Sequence, residues 1–263
     1  MAATQEKEVV PGVKLVGRIS HPKITESSGI IPCSKAAGVF WTHNDGHRPV
    51  LYAITRHGDS ISEFHVIGAN IRDWEDISTD HHGHLFIGDI GNNDAKRDQI
   101  AVYQINEPDP KSPSGAVQVT HTWQLRFPKK PFDCESLFVY QGYGYVISKV
   151  FNEEKAAIYR FPLTEQKEPE VLEIVAHLKI ETPVTGACLS SDARLLGIVT
   201  KSGAFVYEID GKISRAAKRK PFYKKFRHEH IEACCFVPEG LLATSEGREI
   251  FLFTDESFRT AKP

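Results

Sequence analysis

A chain of 263 residues, 41% hydrophobic and 25% charged, is long enough to bury a sizeable core, and a formal charge of −2 gives no electrostatic case for nucleic acid. The opening MAATQEKEVV lacks the basic-then-apolar order of a secretory leader, and no run approaches the roughly 18 apolar residues of a membrane-spanning helix. A soluble protein with no membrane partner is therefore expected, in the cytoplasm by preference and otherwise in the periplasm.

Helical periodicity is almost absent; short β-rich runs recur between Gly, Asn, Asp and Pro. A first strand spans 13–19. Beyond it an aromatic residue in an apolar strand recurs at Tyr52, Tyr103, Tyr159, Tyr207 and Phe251, a period of about 50 residues that suits four-stranded propeller units. Aligned on that anchor, inner strands begin around Ser28, Glu75, Glu135, Thr185 and Glu232. Second strands follow at 39–42, 85–88, 145–148, 196–200 and 241–245, and outer strands at 61–66, 117–127, 171–178 and 222–226.

The fifth unit has three strands before the chain ends, so the strand at 13–19 is expected to complete it and close the ring. The expectation is a single all-β domain over 1–263, a five-bladed β-propeller of four-stranded antiparallel blades, with six blades as the alternative. Residues 1–12 are expected to be a flexible extension, and the sealed ring to be a monomer. The five cysteines, three of them in or beside apolar strand starts, read as small buried hydrophobes, not as a disulfide framework or a zinc site. The proline-rich stretch NEPDPKSPSG at 106–115 reads as an exposed turn, and the basic 215–227 as an outer strand with a solvated edge.

In a propeller, inner strands start and second strands end on one face. That rule gathers Glu26, Glu75, Glu135 and Glu232 with Asp89, Glu246, Lys149, Lys201, His43, Asn44, Asp45, Asp73 and Asn92 around one mouth. His230 precedes Glu232 on the same side, whereas His81, His82 and His84 fall in a turn of the opposite face. Packing does not explain so many crowded carboxylates; neutralisation by Lys149, Lys201 or an arginine, or by a bound ion, does. Oxygen donors in this number suit Ca²⁺, or another divalent ion, better than zinc. No phosphate-binding glycine loop or GxSxG elbow is present.

The blocks ESSGI (26–30), WTHNDG (41–46), RDWEDI (72–77), IGDIGNN (87–93), VYQINEP (102–108), DCESL (133–137), VTGACLSSDAR (184–194) and TSEG (244–247) resemble a largely uncharacterised family of bacterial β-propeller proteins. More distantly, the rim carboxylates are similar in placement to those of gluconolactonase, regucalcin and paraoxonase propellers and of β-propeller phytases. That likeness implies a calcium ion over the tunnel and hydrolysis of lactones or phosphoesters there. Glu26 matches the glutamate opening the first blade of the lactonase group, while that group's later Asn and Asp ligands have no counterpart here.

The expected function is thus a metal-dependent hydrolase of a small-molecule ester, whether lactone, phosphoester or phosphotriester. Glu26, Glu75, Asp89, Glu135, Glu232 and Glu246 would hold the ion. His43 or Asp45 would take a proton from water and Lys149 would steady the oxyanion, with Asn44, Asn92, Asp73, Lys201 and His230 against substrate. The alternative is a non-catalytic binding propeller with a structural ion.

Overall fold

A computed structural model describes residues 6–46, 48–150, 155–228 and 231–258. The chain enters through β1 (Lys7–Val10) and β2 (Val13–Arg18). Four strands follow in the first unit, β3 (Ser27–Pro32), β4 (Val39–Asn44), β5 (Val50–Thr55) and β6 (Ser60–Ile67), and four in the second, β7 (Trp74–Thr79), β8 (His84–Asp89), β9 (Gln99–Asn106) and β10 (Gly115–Arg126). The third holds β11 (Cys134–Tyr140), β12 (Tyr143–Ser148), β13 (Ala157–Pro162), the two-residue β14 (Glu170–Val171) and β15 (Glu173–His177). The fourth holds β16 (Val184–Leu189), β17 (Leu195–Thr200), β18 (Gly203–Glu208) and β19 (Phe222–Lys225), and the last β20 (Ile231–Val237), β21 (Gly240–Ser245) and β22 (Glu249–Thr254).

Within each unit successive strands pair antiparallel, β13 with β15 in the third while β14 joins β10, and β2 pairs with β22 to complete the last one, as expected from the strand left over at the N-terminus. The first strands, β3, β7, β11, β16 and β20, neighbour one another in a closed cycle. The protein is an all-β propeller, and among the described residues no helix is long and apolar enough to cross a membrane.

The hydrophobic cores lie between units. Phe138 and Ile158 of the third pack with Leu196 and Tyr207 of the fourth. Val16, Ile30 and Tyr52 pack with Leu242 and Leu252 across the seam where the ring closes. Each unit is an amphipathic sheet whose two apolar faces are covered only by its neighbours, which is why the aromatic anchor repeats. Tyr52, Tyr103, Tyr207 and Phe251 are all buried. All five cysteines are buried and free, matching their reading as apolar filler.

Three expectations need correction. Residues 7–10 do not extend freely but form β1, which pairs with β2 outside the last unit. The proline-rich turn is not exposed throughout. Glu107 is buried and accepts hydrogen bonds from Ser34 N at 2.9 Å and Trp41 Nε1 at 2.8 Å, fastening the second unit to the first. β10 is longer than a blade edge requires because its start pairs in parallel with β6 and its end with β14. In the basic segment, residues 213–217 form a short 3₁₀ turn before β19.

A β-bulge recurs at the start of every inner strand. Pairing with the second strand slips between Ser27 and Gly29, Trp74 and Asp76, Cys134 and Leu137, Val184 and Gly186, and Ile231 and Ala233. The residues inside these slips are Ser28, Glu75, Glu135 with Ser136, Thr185 and Glu232. A bulge leaves its extra residue out of the ladder and re-aims the side chain, so the same step of the repeat delivers one polar group from each unit to one mouth.

Candidate functional site at the acidic rim

Glu75, Glu135 and Glu232 are 5%, 6% and 7% exposed, so none of these carboxylates is solvated like a surface acid. Lys149, just past β12, serves all three. Its ammonium bonds Glu135 and lies 3.8 Å from Asp133 Oδ2, and its charge acts on both Glu75 and Glu232. The ammonium therefore stands among the predicted glutamates where an ion was expected. Asp133 Oδ2 and Glu135 Oε2 nonetheless have no hydrogen-bond partner.

Beside this lysine-centred group, Asp45, Asp73 and Glu75 present carboxylate oxygens within 4.8 Å of one another. Asp45 follows β4 and Asp73 precedes β7, so the cluster straddles the first and second units. The loop carrying Asp73 is built by Asp89, which accepts from Asp73 N at 2.6 Å and Arg72 N at 3.2 Å. Arg97 locks that corner, donating to Asp89 Oδ1 at 3.2 Å, the Asp89 carbonyl at 3.0 Å and the Gly91 carbonyl at 2.7 Å. Gly91 is required here by space: a Cβ would strike Glu75 Oε1 and Asp73 Oδ2. The second glycine of GDIGNN thus lets two carboxylates close over the backbone.

Burial and mutual repulsion push the cluster's protons on. Asp45 rises to about 6, through burial first and then the charges of Asp73 and Glu26. Asp73 rises through burial, with Arg97 opposing. Glu75 rises well above the carboxylate range through burial, followed by Asp45, Asp73 and Asp133, with Lys149 opposing. Glu232 reaches about 8 because it is buried and hydrogen-bonded to Glu246, with Lys149 and Lys201 pulling the other way. A cation placed among these carboxyls would favour their ionised forms and lower the pH at which they lose their protons.

Several expected site residues are placed elsewhere or used differently. His43 is fully buried, edge-on to Trp74 at 5.6 Å, with Nδ1 2.9 Å from the Asn44 carbonyl. Burial lowers its pKa to about 4, so it is a neutral interior ring set away from solvent at the rim. Asn44 pins the turn before β3, accepting from Thr25 N at 2.9 Å and Glu26 N at 3.1 Å and donating to the Lys23 carbonyl. Asn92 braces the second unit against the third: its backbone N donates to Asp133 Oδ1 at 2.6 Å and its side chain to the Phe132 and Arg97 carbonyls. Asp89 is committed to Arg97 and the 72–73 backbone. Glu26 is exposed beside Asp45, and Lys201 and half-buried Glu246 flank Glu232. His230 lies outside the described residues.

Sequence reasoning passed over Arg97 and Asp133. Asp133 sits in the DCESL block two residues before Glu135, as Asp73 stands two residues before Glu75, and that spacing was its signal. Asp76 is 1% exposed and turns into the axis, accepting from Ile77 N and Leu137 N, each at 2.8 Å, and from the Ala187 backbone. Burial lifts its pKa well above the usual range, against the pull of those three N–H groups.

The cavities of about 600 and 500 Å³ lie on the opposite face, around His81.

No known family profile and no curated protein sequence matches the chain. Among solved structures it is similar to a chain in a crystal structure of a nidogen/laminin complex, with 14% sequence identity, a TM-score of 0.48, and coverage of 89% of this chain and 82% of that one.

Proposed function

We propose that Asp45, Asp73 and Glu75 hold a divalent cation at the rim and that the site hydrolyses an ester. The observation that carries this reading is the approach of three carboxylates to within 4.8 Å, with no lysine or arginine bonded to any of the three among the described hydrogen bonds and ion pairs. The donor set is all oxygen, which fits Ca²⁺ or a comparable hard ion, and the buried Asp133 Oδ2, without a hydrogen-bond donor and 3.8 Å from the Lys149 ammonium, adds negative charge beside Asp73 and Glu75. This narrows the broader ring expected from sequence, because Lys149 bonds Glu135 directly, whereas it acts on Glu75 and Glu232 through its charge alone. The resemblance to calcium propellers supports the same class.

When bound, the ion would polarise a carbonyl or phosphoryl oxygen. The chain's own groups do the remainder. Glu232, hydrogen-bonded to Glu246 and raised to about 8, suits general acid–base work. Lys149 supplies fixed positive charge at the mouth, and Lys201 adds a second cation beside Glu232.

The test is calorimetric titration of Ca²⁺ into chelator-treated protein, together with hydrolysis of aryl ester, lactone and phosphotriester substrates with and without chelator. Binding and turnover that both vanish in Asp73→Asn support the proposal, and turnover indifferent to chelator overturns the mechanism. Cation binding with no turnover on any substrate favours the non-catalytic alternative, in which the ion ties the first two units together.

A further inference from the structure

We propose that the face opposite the acidic rim carries a binding site for a neutral saccharide. The hairpin tips joining β7 to β8, β11 to β12 and β16 to β17 surround a cavity of about 600 Å³, within the range of small-molecule sites. A second cavity of about 500 Å³ adjoins it and shares His81, Leu189, Ser190 and Ser191.

The lining narrows the class of ligand. Among the described residues no lysine or arginine lines the larger cavity, which argues against a polyanion. Its one carboxylate, Asp80, is already committed: Oδ2 meets His84 Nδ1 at 2.7 Å, and Oδ1 accepts from His82 N at 2.8 Å and His84 N at 3.3 Å. A cationic ligand therefore finds no free counter-charge. What remains is neutral polar groups: the side chains of His81, His82, Gln104, Gln141 and Ser191 and the Tyr140 hydroxyl. None of them has a side-chain hydrogen-bond partner among the described residues.

Amide, imidazole and hydroxyl groups both donate and accept, as sugar hydroxyls do. Beneath them Phe86 and Trp123, each 3% exposed, pack with ring centroids 5.9 Å apart and back the cavity without presenting an open ring face. The indole is fixed by a 3.0 Å bond from Nε1 to the Thr164 carbonyl, and half-buried Tyr140 stands at the side. The half-buried Tyr140 ring for a C–H face, beside neutral donors and acceptors, is the chemistry that recognises a carbohydrate. The backbone at the tips is also held in place at some cost. His81, Gln141 and Ala193 adopt φ of 61°, 48° and 53°, left-handed conformations that cost a non-glycine residue about 1 kcal/mol each.

The test is saturation-transfer NMR on the full chain with maltose, cellobiose, lactose and N,N′-diacetylchitobiose, followed by titration of the strongest binder. Transfer to at least one sugar is expected, unchanged by chelator. Its affinity should fall about tenfold or more in Tyr140→Ala or in Gln141→Gly, the scale of losing one well-placed contact. Glycine accepts the φ of residue 141, so the second variant keeps the fold even if the first does not. No transfer from any of the four sugars, transfer abolished by chelator, or transfer unaffected by both substitutions would each overturn the site.

Discussion

Lys149→Met removes one charge from the mouth and nearly preserves side-chain length, which makes it the sharpest probe of how the rim is balanced. The Lys149 side chain is 8% exposed, against 7% for Glu135 and 2% for Asp133. Loss of one partner from so buried a pair costs about 3–5 kcal/mol, a large part of the roughly 5–15 kcal/mol that holds a domain folded. The cost depends on pH, because a carboxylate left without its ammonium can take a proton instead. Urea unfolding followed by tryptophan fluorescence, in chelator, should show the full loss at pH 8 and only part of it at pH 5. Calcium should bind the variant more tightly than the parent. Removing a nearby positive charge relieves repulsion worth about 1 kcal/mol or more for a divalent ion, close to a tenfold gain in affinity. Wild-type stability at pH 8 in chelator, or weaker calcium binding by the variant, would refute this account of the mouth.

Gly91→Ala should leave the fold close to intact, since φ at this residue is not left-handed, yet weaken calcium binding about tenfold or more by driving Glu75 and Asp73 apart; calorimetry measures it. The raised carboxyls of Asp45, at about 6, and Glu232, at about 8, hold protons in the folded state that the unfolded chain releases near pH 4–4.5. Stability in chelator is therefore greatest below the unfolded values and falls as pH rises through the folded ones, by several kcal/mol toward pH 8; excess calcium should flatten that decline in urea-midpoint measurements. Asp76→Ala strands the N–H groups of Ile77, Leu137 and Ala187 in the interior and should cost about 3 kcal/mol or more, read as a fall in urea midpoint that calcium does not restore.

The period of the aromatic anchors and the closing role of the N-terminal strand were legible because both follow from one requirement: every unit must cover two apolar faces and no edge of the ring can stay open. The phase of Glu75, Glu135 and Glu232 within the repeat was equally legible. Their local geometry was not. Strict alternation would send Glu75 and Asp76 to opposite faces, but the slip in pairing between Trp74 and Asp76 leaves Glu75 at the mouth and turns Asp76 into the axis. No residue type announces such a slip. Likewise Asp45 and Asp73 belong to different units and meet only through the Asp89–Arg97 corner, a contact that spacing along the chain does not encode. His43 looked like a rim base because it ends a second strand beside Asn44 and Asp45. Its neighbours, Trp74 and the Cβ-less Gly29, instead enclose the ring.

The axis between the two faces determines whether they act together. Among the inner strands lies a small cavity of about 20 Å³, lined largely by apolar side chains such as Ile31, Ile77, Leu137 and Ala187, room for about one water molecule. The inner strands flanking it are fixed by bonds from Leu137 N to Asp76 Oδ2 and from Val139 N to Ser78 Oγ, at 2.8 and 3.1 Å. Coupling between sites requires an element with two arrangements that both ligands bias, and a bonded, close-packed axis supplies none. Calcium at the rim and a disaccharide on the opposite face should therefore bind additively, each titration giving the same affinity whether or not the other ligand is present. A shift of about fivefold or more in either affinity, the lower end of ordinary allosteric coupling, would mean that the inner strands move as a unit.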